Sequence, residues 1–197
     1  MNEAEEAVAE QNLLSKTTVG FWLYLMTDCL LFASLFATFA VLRSATAGGP
    51  SGKDIFDMPL VLAETIILLT SSFTCGIGLV SMKLGDVYRM AAAFAATFVL
   101  GASFVTIEVS EFIKLINEGN GPQASGFLSA FFTLVGTHGF HVTMGLVWLA
   151  VMLTVLVKRG VSDKLIRQLT LFGLFWHFLD LVWIFVFTVV YLMGAKV

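Results

Sequence analysis

Residues 19–42 read VGFWLYLMTDCLLFASLFATFAVL, 24 residues in which Asp28 is the only formally charged side chain. At about 1.5 Å rise per residue, a helix of that length crosses the roughly 30 Å hydrocarbon layer of a bilayer. Working outward, four more runs of the same character follow, at about residues 60–82, 90–113, 127–157 and 169–193. The fourth is overlong, so it tilts or extends past the hydrocarbon. None shows the alternation of a membrane barrel strand, and only helices and closed barrels satisfy their own backbone groups in lipid. The expected fold class is therefore all-α, a polytopic membrane protein. Residues 19–197 form a bundle of five transmembrane helices behind an acidic N-terminal tail, residues 1–18.

Composition agrees with the runs. Of 197 residues, 58% are hydrophobic and 13% charged, and the mean hydropathy is +0.90. Soluble domains carry about 25% charged residues, so a soluble enzyme or a disordered scaffold is excluded for want of polar surface. The net charge of -3 provides no basic footprint for nucleic acid. Cys29 and Cys75 form no CxxC pair, which argues against a disulfide framework or a thiolate metal site. The start of the chain is acidic (Glu3, Glu5, Glu6, Glu10), unlike a cleaved secretory signal, so the first span is expected to be retained.

Linkers 47–54 (AGGPSGKD) and 117–122 (NEGNGP) are dense in turn formers, whereas the other two are short and charged. With the N-terminus inside, seven basic residues face the cytoplasm: Lys16, Lys83, Arg89, Lys158, Arg159, Lys164 and Arg167. Four face the other side: Arg43, Lys53, Lys114 and Lys196. The positive-inside rule then orients the N-terminus to the cytoplasm and the C-terminus to the periplasm. The odd number of spans, with polar groups at unlike depths, disfavours an inverted-repeat transporter.

Polar residues inside the spans carry the remaining information. Asp28, Glu64, Glu108, Glu111, His138, His141, His177 and Asp180 all fall within them. Each acid at a span centre costs about 2.5–3.5 kcal/mol on insertion scales, so such groups turn toward the bundle or toward water. Three pairs are spaced i,i+3 and share a helical face: Glu108 with Glu111, His138 with His141, and His177 with Asp180. The economical reading is one buried polar network joining the helices; the rival is a proton path. Gly136 and Gly139, and Ala91, Ala92, Ala95 and Ala96, are expected to admit a neighbouring helix. Two histidines at i,i+3 on one helix cannot both be axial ligands of one haem. His177 with either leaves a cytochrome b-like, haem-binding anchor as an alternative. Asp28 has no polar partner on its own helix beyond Tyr24. No catalytic constellation, phosphate loop or metal triad is present.

Two segments are more specific. Gly136-Thr-His-Gly-Phe-His-Val142 and Trp176-His-Phe-Leu-Asp-Leu-Val-Trp183, in this order on the last two spans, resemble subunit III of the haem-copper respiratory oxidases. Residues 22–28 (WLYLMTD), 47–56 (AGGPSGKDIF) and 125–132 (SGFLSAFF) are similar to the ubiquinol oxidase branch of cytochrome bo type. The chain departs from the mitochondrial pattern in lacking the first two of seven helices. It also carries Asp28 where that pattern has a buried Glu. The resemblance implies a non-catalytic subunit of a proton-pumping quinol oxidase, with no catalytic, cofactor-binding or metal-binding residue of its own. Haems and copper are expected in the partner catalytic subunit, bound phospholipid in this one. Subunits I, II and IV are the implied partners, in the bacterial inner membrane. A cytochrome c oxidase subunit III is the nearest alternative, since donor binding would reside on other subunits.

Overall fold

The computed structural model describes the backbone over residues 3–194 and the side chains over residues 16–53 and 55–194. Its elements are α1 (Glu3–Leu42), a short α2 (Gly52–Ile55), α3 (Met58–Lys83), α4 (Val87–Asn117), α5 (Gly126–Arg159) and α6 (Asp163–Phe185). A π-helical stretch, Val186–Leu192, continues α6. Five helices are long and apolar enough to cross a membrane, the first over Lys16–Leu42. Among the described residues there is no strand. The protein is a multi-pass membrane protein.

Helix starts are set by caps and not by hydropathy. Asp57, Asp86, Ser125 and Ser162 each accept a hydrogen bond from the backbone N–H three residues on, which satisfies donors that the first turn leaves orphaned. The last helix therefore begins at Asp163 and not near residue 169. Its first turns carry Lys164 and Arg167, which a hydropathy reading discounts although they are helical. At the other end, Gly85, Gly119 and Gly160 adopt positive φ (+74°, +83° and +74°) where α3, α4 and α5 terminate, a conformation that a Cβ disfavours. The tail over residues 1–18 is no separate element from residue 3 onward, because α1 runs through it unbroken. Its acidic side chains and the C-terminal Lys196 lie outside the described residues.

Helices α3, α4, α5 and α6 close a four-helix arrangement in which α3 meets α4 and α6, and α5 meets the same two. α1 packs outside it, against α5 and α6. On α4 the buried residues are Met90, Phe94, Thr97, Gly101, Phe104, Glu108, Glu111 and Leu115. Those steps of four and three are the seam of a left-handed helix pair. Apolarity cannot mark this seam, since the lipid-side residues Val99, Val109 and Ile113 are apolar as well. Large, small and polar residues mark it instead.

The close approaches fall on glycines other than those expected. A Cβ on Gly101 would lie 2.9 Å from Trp176 and from Leu146, and one on Gly145 would lie 3.0 Å from Trp176. Trp176 occupies the space that both glycines leave. Gly139 meets nothing within 4 Å and Gly136 only Phe112 at 3.5 Å, so the glycines beside the histidines do not admit a helix. Ala92 and Ala95 face outward, and Ala91 and Ala96 are half-buried.

Candidate functional site

The eight polar residues do not gather into one network. They form three groups, each between different helices.

The first joins α1 to α5. Leu25, Asp28, Phe32 and Phe39 form the buried face of α1, and Asp28 Oδ2 lies 3.8 Å from His141 Nε2. His141 Nδ1 is 2.7 Å from the Thr137 carbonyl. A carbonyl only accepts, so Nδ1 carries a proton and donates it. Nε2 of a neutral ring then offers a lone pair to Asp28, while a doubly protonated ring offers a donor. His138, one turn away, is 0% exposed, and neither of its ring nitrogens has a partner among the described residues. It is held by aromatic contacts, 5.2 Å from Trp183 and edge-on to Phe104 at 5.9 Å.

The second group joins α3 to α6. His177 Nδ1 and Ser72 Oγ are hydrogen-bonded at 2.7 Å, with Asp180 as their electrostatic neighbour. His177 is exposed on the outside of the bundle, and Asp180 is half-buried. Both line an open apolar groove along α3, through Phe73, Ile77 and Val80 to Arg89.

The third group is acidic. Glu64 of α3 is 0% exposed, and Glu108 and Glu111 of α4 are buried with it. Their charges act on one another and on the Tyr191 hydroxyl of the π-helical stretch. Both carboxyl oxygens of Glu64, both of Glu108, and the Tyr191 hydroxyl lack a hydrogen-bond partner among the described residues. Glu111, near the end of α4, opens on a cavity of about 450 Å³ lined by Asp57, Ser110, Lys114 and Glu118.

Sequence reasoning did not find the hydroxyl residues that tie the bundle together. Ser71 Oγ donates to the Thr97 carbonyl (3.2 Å) and accepts from Trp176 Nε1 (3.1 Å). Thr65 Oγ1 donates to the Val61 carbonyl (2.8 Å) and accepts from Trp183 Nε1 (3.1 Å). An indole N–H only donates, and a hydroxyl does both, so each pairing satisfies both partners. Part of the signal was available: Trp176 and Trp183 are seven residues apart, two turns on one face. Tyr191, fully buried within the π-helical stretch, was missed as well. Among the described residues, no group of three or more His, Cys, Asp or Glu is placed to hold a metal ion.

Comparison with known proteins gives this geometry its context. The family model for cytochrome c oxidase subunit III matches residues 7–195. The chain is 57% identical over 179 residues to the cytochrome bo(3) ubiquinol oxidase subunit 3 of Pseudomonas aeruginosa, covering 91% of this chain and 86% of that one. It is 46% identical over 176 residues to the quinol oxidase subunit 3 of Bacillus subtilis, covering 89% and 86%. It is also 46% identical over 176 residues to the cytochrome c oxidase subunit 3 of Bacillus sp. PS3, covering 89% and 85%. With both diagnostic motifs seated in the same bundle and the match running through all five membrane helices, the chain belongs to the cytochrome c oxidase subunit III family.

Proposed function

We infer that this chain is the third subunit of a quinol-oxidising, oxygen-reducing respiratory complex of the cytochrome bo type, and that it carries no redox centre. The observation that supports this most is the 57% identity to a ubiquinol oxidase subunit over 91% of the chain. The equal identity to a quinol oxidase and a cytochrome c oxidase relative from Bacillus leaves the choice of donor to that higher match. In this reading the haems and copper belong to the catalytic haem-copper subunit, donor binding resides outside this chain, and this chain packs beside the haem-copper subunit in the bacterial inner membrane, with subunits I, II and IV as its partners.

The histidines support the absence of haem. His141 turns to Asp28 of α1 and His177 to Ser72 of α3, so two potential axial nitrogens are directed to different flanks. His138 is enclosed by aromatic rings. The groove along α3 offers an apolar bed with Arg89 near its end, suited to an acyl chain and its phosphate; we place the bound phospholipid there.

Purification of the tagged chain in mild detergent is expected to bring the haem-copper subunit and two further subunits with it. The separated chain is expected to show no Soret absorption. Stoichiometric haem in the separated chain, with no oxidase partner, would overturn this reading in favour of a cytochrome b-like anchor. Reporter fusions after Gly194 are expected to be active only on the periplasmic side; cytoplasmic activity would reverse the orientation drawn from the basic residues.

A further inference from the structure

We propose that Glu64, Glu108, Glu111 and Tyr191 form a buried acid site that holds water and an exchangeable proton, open to the aqueous phase on the long-loop side of the bundle. The cluster lies toward that side, with Glu64 in the second turn of α3 and Glu108 and Glu111 in the last turns of α4. The short turns and most of the basic residues lie at the opposite end. The site is thus separate from both mid-membrane groups, Asp28 with His141 and Ser72 with His177.

Tyr191 is the observation that turns three acids into a site. It is 0% exposed, its hydroxyl has no partner among the described residues, and that hydroxyl is within electrostatic reach of all three carboxyls. Val190 and Tyr191 are both fully buried within the π-helical stretch, and π turns are frequent at functional sites. Phe56 at 4.7 Å and Phe131 at 5.9 Å pack against the ring, fixing where the hydroxyl sits.

Four carboxyl oxygens and a phenol buried without partners are not a stable dry arrangement, because buried polar groups are hydrogen-bonded to protein or to ordered water. The cluster has a source of water beside it. Glu111 lines the 450 Å³ cavity whose other walls include Asp57, Thr106, Ser110, Lys114 and Glu118. The charge balance then indicates the ligand. Asp57 at the start of α3, Glu64 on α3, Glu108 and Glu111 on α4, and Glu118 just past the end of α4 share this end of the bundle with Lys114, whose charge acts on Glu111. α5 contributes the Phe131 ring and, deeper, His138, whose titratable neighbour is His141. No set of ligands is placed for a metal ion among the described residues. Protons are the remaining positive charge, since like charges this close cannot all stay ionised.

The transfer is simple. A hydronium ion in the cavity gives a proton to a carboxylate oxygen of Glu111 and is left as water. An O–H bond breaks on the donor as one forms on the carboxylate, and the proton passes through bridging water to Glu108 or Glu64. Tyr191 donates its hydroxyl hydrogen bond, through bridging water, to whichever carboxylate carries the charge and keeps its own proton.

The test is infrared difference spectroscopy on the intact complex, with Glu64→Gln and Glu108→Gln variants to assign the bands. In the wild-type complex the protonated-carboxyl C=O band is expected to lose intensity as pH rises, while a carboxylate band grows. The C=O band should also shift when the solvent is exchanged for D2O. Each Gln variant is expected to remove one carboxyl's share of that band, and Tyr191→Phe to retain the band but move its titration midpoint. The pH and solvent-isotope series on the wild-type complex stands even where one variant fails to assemble. A C=O band indifferent to both pH and D2O would overturn the proposal, leaving a closed, purely structural set of carboxyls. A band that responds to added sodium or calcium at fixed pH would overturn it in favour of a cation site. Neither readout depends on oxidase turnover or on the electron donor.

Discussion

Ser71 holds three helices through a single oxygen, and that economy is the rule at the residue scale in this protein. Its hydroxyl donates to α4 and accepts from α6, while Thr65, which donates back to Val61 of its own helix, joins α3 to α6 by accepting from Trp183. Interhelical hydrogen bonds in membranes average about 0.6 kcal/mol and reach about 1.7. A Thr65→Val and Trp183→Phe double-mutant cycle is therefore expected to return a coupling near 0.6 kcal/mol in detergent unfolding; a coupling of zero would mean the pair is only packing. Asp28→Asn is expected to preserve assembly, because an amide supplies a hydrogen atom to His141 Nε2, whereas Asp28→Ala loosens α1. Loss of assembly in the Asn variant, judged by subunit content on gels, would show an ionic pair with a charged imidazole instead. Gly101→Ala places a methyl 2.9 Å from the Trp176 ring, which Ser71 holds in place. Overpacking of this kind costs about 1–3 kcal/mol, while Gly139→Ala, with nothing within 4 Å, is expected to leave the melting temperature unchanged. Equal effects of the two glycine changes would refute the packing described for α4.

Element boundaries follow local chemistry closely. Ser125 caps α5 through the Leu128 amide (3.1 Å), and the adjacent Phe127 amide donates to the Ala45 carbonyl of the first long loop (3.1 Å). The cap therefore fixes both the start of α5 and the loop that covers the aromatic end of the bundle. Ser125→Ala is expected to destabilise by about 1 kcal/mol and to speed hydrogen exchange at the amides of residues 126–128. Unchanged exchange there would mean that the loop, and not the cap, holds the helix start. The π-helical end of α6 has no comparable signature in its residues, VFTVVYL. Its register is imposed by what Val190 and Tyr191 have to fit between, which is a tertiary demand.

At the scale of the molecule, α1 is the outlier, since among the described residues it packs chiefly on α5 and α6. Leu25, Asp28, Phe32 and Phe39 turn inward while Trp22, Leu30 and Val41 face out. The long loop after it closes back on the C-terminus: a Cβ on Gly52 would come within 2.7 Å of the Gly194 carbonyl oxygen. Membrane helices form first and associate afterwards, through packing and not through a hydrophobic drive. Residues 1–50 and 51–197 expressed as two chains are therefore expected to reassociate in the membrane and co-purify. Phe32→Ala together with Phe39→Ala should abolish that recovery. Recovery unaffected by both changes would place the hold on α1 elsewhere, in the loop or in a partner subunit.

The sequence by itself determined the solvent, the number of spans and the family. Long apolar runs have one stable solution in a bilayer, and the motifs at 136–142 and 176–183 are specific enough to be read directly. It also identified which side chains are anomalous, because an acid or a histidine in hydrocarbon stands out against its neighbours. Tertiary structure alone decided who meets whom. Spacing at i,i+3 puts Glu108 and Glu111 on one face but does not name Glu64 and Tyr191 as their company. Nor does it separate His177, bonded to Ser72 on the outside, from His141 facing Asp28. The physical reason is that lipid and helix interface are equally apolar, so no hydrophobic stripe announces which face turns inward. That choice rests on shape and hydrogen bonding, on Trp176 filling the space beside Gly101 and Gly145 and on Thr65 meeting Trp183, and these exist only once the helices are together.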